Sequence, residues 1–243
     1  MQLRLSEFMK KLLITYVVVY LLQVLTRHFG GGFIDSWFAL NPVGQTTNFQ
    51  IWQFLTYNFL HADVMHLVFN MMILVFVGGE IEAIWGTRRL LVFYGFCSVA
   101  VGLVYFVFQL MFGIGYNPLM GASGGLYGLL MAYSILFPER ELLFMMMFPL
   151  RTKHFVMLIS AIEFLQLASS PRSGGGLGAI AHLSGLGFGL LYLRLQAKGF
   201  KMDFDRKFNI PTRSKKRSSH LKLVPEDKKD ENGGNGKGPK TWH

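Results

Sequence analysis

Charge is what this sequence has least of. Only 16% of its 243 residues are charged and 51% are hydrophobic, where a soluble domain of this size carries about 25% charged residues. That shortage excludes an ordinary water-soluble globule. Cysteine is nearly absent too. Cys97 is the only one, so no disulfide can close within the chain, and its place in an apolar run suits a small buried side chain. No cleavage site of small residues follows the first apolar run, Leu12 to Leu25, which is therefore expected to be a retained span rather than a signal peptide. No internal repeat is visible.

The shortage of charge is uneven. Residues 1–197 hold 11 Lys/Arg and 8 Asp/Glu, and residues 198–243 hold 13 and 6. The chain therefore divides into an apolar body, 1–197, and a basic tail, 198–243. A helix that crosses a bilayer needs about 20 mainly apolar residues. Six candidates satisfy or approach this, at about 10–26, 64–85, 90–113, 120–137, 153–169 and 177–197. The expected class is all-α, a polytopic bundle of six transmembrane helices. The fifth candidate is short and carries Glu163. The run Leu142–Leu150 before it contains Pro149 and is too short to span; it is expected as an interfacial segment or as an extension of the fifth helix.

Basic residues set orientation. With the N-terminus inside, the cytoplasmic side receives Arg4, Lys10, Lys11, Arg88, Arg89, Arg140, Arg151, Lys153 and the tail, and the outer loops receive only Arg27 and Arg172. Both termini are thus expected in the cytoplasm, in a bacterial inner (plasma) membrane. The long first outer loop, about 27–63, mixes Gly30, Gly31 and Gly32 with Trp37, Phe38, Trp52, Phe54 and Phe59, rings that suit a membrane interface. The tail lacks the apolar content to fold alone and is expected to be disordered. Its Lys215-Lys216-Arg217 cluster suits anionic lipid, and no nucleic-acid partner is expected.

Polar groups inside spans are costly, so each asks for a reason. The candidates are His66 and Asn70 in the second span, Ser123 in the fourth, Glu163 in the fifth and His182 in the sixth. Ser123 stands in Gly121-Ala122-Ser123-Gly124. Alone, a serine among glycines in a membrane helix ordinarily packs, since small residues let helices approach. His182 stands among Gly178, Gly185 and Gly189, which share roughly one helical face with it. That face can approach the glycines of the fourth span within backbone distance and bring His182 Nε2 to Ser123 Oγ, the geometry of an activated serine. No Cys or carboxylate accompanies His182 at ligand spacing, so no metal is expected. His66 and Asn70, four apart, share a helix face as a polar seam or as two donors aimed at one developing oxyanion. None of Asp63, Glu80, Glu82 and Glu163 is placed by the sequence where it clearly orients His182.

Three motifs stand in order: His61, His66 and Asn70 in the second span, Gly121 to Gly124 opening the fourth, and Gly178, His182, Gly185 and Gly189 in the sixth. Together they resemble the rhomboid family of intramembrane serine proteases, over residues 10–197. The resemblance implies a six-helix bundle with a water-filled cavity and a Ser–His dyad lacking a third acidic member, with no cofactor. By motif position Ser123 resembles the nucleophile and His182 the general base. His66, Asn70 and the Ser123 backbone N–H resemble the oxyanion hole. Tyr127 is similar to the aromatic that packs on the imidazole, and His61 to a structural histidine. The Glu80–Arg89 turn region and the aromatic outer loop also look like this family. One departure is Trp52-Gln53, where some members carry Trp-Arg, which puts an Arg-dependent anchoring of the loop in question. Expected partners are the lipid bilayer and transmembrane protein substrates. The rival is a non-catalytic protein on the same fold that binds transmembrane clients; such relatives usually lose the Ser or the His. A channel or transporter is disfavoured, since no charged relay runs through the bundle and no broken-helix repeat is evident.

Overall fold

The computed structural model describes residues 5–42, 50–112, 117–144, 147–170 and 174–197. The basic tail from Lys198, with its Lys215-Lys216-Arg217 cluster, and Arg172 lie outside the described residues. Helix dominates, as it must where apolar runs satisfy their backbone groups internally. Helix α1 (Glu7–Phe29) starts at Ser6, whose hydroxyl accepts from the Met9 N–H at 3.0 Å. Helix α2 (Phe33–Phe38) and α3 (Gln53–Thr56) follow in the loop region. Helix α4 (Val64–Trp85) is capped by Asp63 and contains a π turn at Leu74–Gly78. Gly86, at φ +78°, turns the chain directly into α5 (Thr87–Phe112); only glycine takes this left-handed conformation without strain. Helices α6 (Ser123–Leu136), α7 (Thr152–Ser169) and α8 (Gly174–Ala197) complete the bundle.

Each of the six expected spans therefore coincides with a helix. Four of them, α1, α4, α5 and α8, are long and apolar enough to cross a membrane. Helix α6 is different. The expected span 120–137 shrinks to 14 residues, which rise about 21 Å, short of a hydrocarbon core of about 30 Å. Leu142–Leu150 is not an extension of α7. It forms an antiparallel hairpin, β1 (Glu141–Phe144) and β2 (Phe148–Arg151), in the register Glu141 to Arg151 and Phe144 to Phe148. Its base is tied down where the Arg140 carbonyl accepts from both the N–H and the hydroxyl of Thr152, each at 2.7 Å.

The loop region is built on Gln53, not on an arginine. Its side chain is fully buried. Its Oε1 accepts from the Asn41 N–H at 3.0 Å, and its Nε2 donates to the Ser36 and Trp37 carbonyls and to Gln50 Oε1, the last at 2.7 Å. Trp52 stacks on Trp37 and donates its indole N–H to the Trp37 carbonyl at 2.8 Å. A neutral amide thus supplies the anchoring that Trp52-Gln53 had put in question. At the other end of the bundle, the hydroxyls of Ser6 and Thr87 donate to Glu82, and Tyr133 and Arg140 converge on Glu80.

The centre of the bundle is the contact of α6 with α8. A Cβ on Gly185 would lie 2.1 Å from the Gly124 carbonyl oxygen, and one on Gly189 would lie 2.7 Å from that of Gly128. Gly128 in turn admits the buried Cys97 thiol, whose Sγ would stand 2.7 Å from a Cβ there. Gly178, expected on the same face as the other two glycines, takes no part in this contact: among the described residues a Cβ there would meet nothing within 4 Å. Gly185→Ala is expected to force the helices apart and cost about 1–3 kcal/mol, whereas Gly178→Ala is near neutral. Thermal unfolding in detergent checks this; equal melting temperatures for the two variants would contradict it.

Candidate active site

Ser123 is the first residue of α6. Its approach is held by the loop region. Leu119 and Leu40 exchange backbone hydrogen bonds at 2.9 and 3.1 Å, and the Gly121 N–H donates to the Tyr57 carbonyl at 3.0 Å. Gly121 takes φ +126°, a conformation that strains any residue with a Cβ. The entering segment thus turns sharply, and Ser123 stands at the start of a helix too short to fill a bilayer. The first intrahelical bond here runs from the Leu126 N–H to the Ala122 carbonyl at 3.1 Å. The N–H groups of Ser123, Gly124 and Gly125 therefore have no acceptor within the helix.

Helix α8 brings His182 to this point. Its Nε2 lies 2.8 Å from Ser123 Oγ. The imidazole stacks on Tyr127, one turn after Ser123, with centroids 4.2 Å apart and planes 8° from parallel. The glycine contact makes this reach possible, because Gly185 lies three residues beyond His182 and rests on the Gly124 carbonyl. On the other side of the ring, Nδ1 lies 2.8 Å from Glu163 Oε1, and the Tyr127 hydroxyl donates to the same oxygen at 2.7 Å. Glu163 is thus an acidic neighbour of His182 that sequence reasoning missed. The signal was present as an ionisable residue within an apolar span, but the helical rotation that aims it at His182 was not.

His66 reaches the same locus from α4. The His66 ring packs on the bare Cα of Gly121: a Cβ there would stand 2.6 Å from His66 Cε1 and 3.6 Å from Ser123 Oγ. Asn70 is buried, and its Nδ2 has no hydrogen-bond partner among the described residues. His61 lies apart, fully buried, edge-on to the rings of Tyr16 and His66. Its backbone N–H donates to Gln23 Oε1 at 3.0 Å and its carbonyl accepts from Arg27. Burial pushes its imidazole down to about 4, assisted by the neighbouring His66 and opposed weakly by the Phe59 backbone and Asp63. Among the described residues no group of three His, Cys, Asp or Glu side chains is placed to hold a metal ion.

A family model described as the Rhomboid domain matches residues 48–198. A protein named Rhomboid protease GlpG from Yersinia pestis (strain Pestoides F) is 32% identical over 181 residues, which cover 72% of this chain and 57% of that protein. A protein of the same name from Haemophilus influenzae is 29% identical over 184 residues, covering 75% of this chain and 86% of its own length. The chain thus spans little more than half the length of the Yersinia relative.

The buried His61 has a consequence for stability. Unfolded, an imidazole takes up a proton near pH 6.5; folded, His61 resists it down to about 4. The unfolded state therefore binds the proton first, and the contribution of His61 to stability falls as pH drops from about 6.5 towards 4, by about 2 kcal/mol at pH 5. Comparing melting temperatures at pH 7.5 and 5, His61→Leu is expected to lose less than the wild type. An equal loss in both contradicts this.

Proposed function

The chain belongs to the rhomboid family and is an integral membrane protein; on that premise we propose that it is an intramembrane serine endopeptidase. The observation that carries the reading is the 2.8 Å approach of His182 Nε2 to Ser123 Oγ at the start of the short helix α6. Ser123 Oγ attacks a peptide carbonyl in a transmembrane segment of the substrate, and His182 Nε2 takes the hydroxyl proton. The developing oxyanion is held by the Asn70 amide, His66 and the Ser123 backbone N–H. Donors set in place beforehand stabilise such charge at no cost of reorganisation, and loss of one costs about 10²–10³ in rate. His182 then passes its proton to the leaving amine, and water hydrolyses the acyl-enzyme.

The substrate class follows from backbone chemistry. A peptide bond in a regular helix is shielded by its own hydrogen bonds, so cleavable segments carry Gly, Pro or other helix-weakening residues near the cut. The basic residues support an orientation with both termini cytoplasmic, in a bacterial inner membrane, and a domain division into the membrane body 1–197 and the tail 198–243. No cofactor enters this chemistry.

Purified wild type and Ser123→Ala, offered a transmembrane substrate with a helix-weakening Gly-Pro pair, test the reading. Cleavage by the wild type and none by the variant is expected; equal cleavage by both sinks it.

A further inference from the structure

The proposed mechanism uses one nitrogen of His182 and leaves the other occupied. Nδ1 faces Glu163 Oε1 at 2.8 Å, and the same oxygen accepts the Tyr127 hydroxyl at 2.7 Å. The carboxyl group is nine-tenths buried, with its side chain 10% exposed. An acid within an apolar span is costly unless it is partnered, and here both partners belong to the reacting machinery: the base itself and the ring stacked against it. We infer that Glu163 is a positioning residue for His182, completing a Ser123–His182–Glu163 relay in place of a two-residue dyad.

A carboxylate can only accept hydrogen bonds. Glu163 therefore requires the proton of neutral His182 to sit on Nδ1, which leaves the Nε2 lone pair facing Ser123 Oγ. When Nε2 takes the serine proton, the ring carries a proton on each nitrogen and a positive charge, and the carboxylate stands against that charge. No proton moves to Glu163; the one on Nε2 goes on to the leaving amine. Tyr127 holds the accepting oxygen from its second side, so that stack and hydrogen bond together fix the ring. Removing the buried acid from a serine–histidine relay while keeping its shape typically costs about 10⁴ in turnover, because the imidazole adopts the wrong tautomer.

The inference rests on the peptidase reading, and the experiment separates the two. Full-length wild type, Ser123→Ala, Glu163→Gln and Tyr127→Phe are compared on the same transmembrane substrate. Glu163→Gln is expected to lower kcat by about 10²–10⁴-fold with KM little changed, and Tyr127→Phe, which keeps the stack, by about 2- to 10-fold. Ser123→Ala inactive beside Glu163→Gln at wild-type kcat overturns the relay and leaves the peptidase reading intact. A second readout needs neither cleavage nor a stable Glu163 variant. Nitrogen-15 NMR of histidine-labelled wild type, with the His182 signals identified by their loss in His182→Ala, is expected to show the proton of neutral His182 on Nδ1. A proton on Nε2 overturns the inference, whatever the activity.

Discussion

Two glycine carbonyls on one helix, Gly124 and Gly128, touch two bare Cα positions on another, Gly185 and Gly189. In lipid the hydrophobic effect does not draw helices together, so packing and short polar contacts must do so. At Gly185 the fit leaves no room even for a methyl group. The contact fixes the distance between α6 and α8, and through it the reach of His182 to Ser123. It also places Tyr127 flat on the imidazole, since Tyr127 lies one helical turn after Ser123 on the face that α8 covers. Loss of this contact would part His182 from both Ser123 and Tyr127.

The second constraint is the shortness of α6. Met120 and Ala122 continue the apolar run before it, yet the helix begins only at Ser123, while Pro138-Glu139-Arg140 closes its far end. What stops it earlier is tertiary: the left-handed turn at Gly121 and the hydrogen bonds that tie Gly121 to Tyr57 and Leu119 to Leu40. Tyr57 and Leu40 belong to the loop region, and that region is held by the buried Gln53 amide. Loop anchoring and the placement of Ser123 are therefore one mechanical unit. The first-turn N–H groups, which have no acceptor within the helix, stand at the same end of α6 as the serine, which suits the stabilisation of negative charge.

Much of this was legible in the residues. Apolar runs located a helix at each of the six expected spans, four of them long and apolar enough to cross a membrane. The polar residues within them were few enough to name, and the glycine spacing around His182 indicated which helix it would meet. What was not legible depends on rotation or on partners distant in the chain. The apolar character of Met120 and Ala122 hid the late start of α6. Leu142–Leu150 pairs with itself as a hairpin, a solution that composition alone did not separate from an apolar helix. Gln53 looked like a missing arginine until its four amide contacts were seen. Glu163 was visible as an acid in an apolar span, but its approach to His182 depends on how α7 is turned against α8.

The account stands on Ser123 being made nucleophilic by a base on another helix. Reaction of the purified protein with a fluorophosphonate, followed by mass spectrometry of the peptides, tests this most directly. It predicts a single phosphonyl adduct on Ser123 in the wild type and none detectable in His182→Ala. Absence of the adduct from Ser123 in the wild type, or its undiminished formation in His182→Ala, would contradict it.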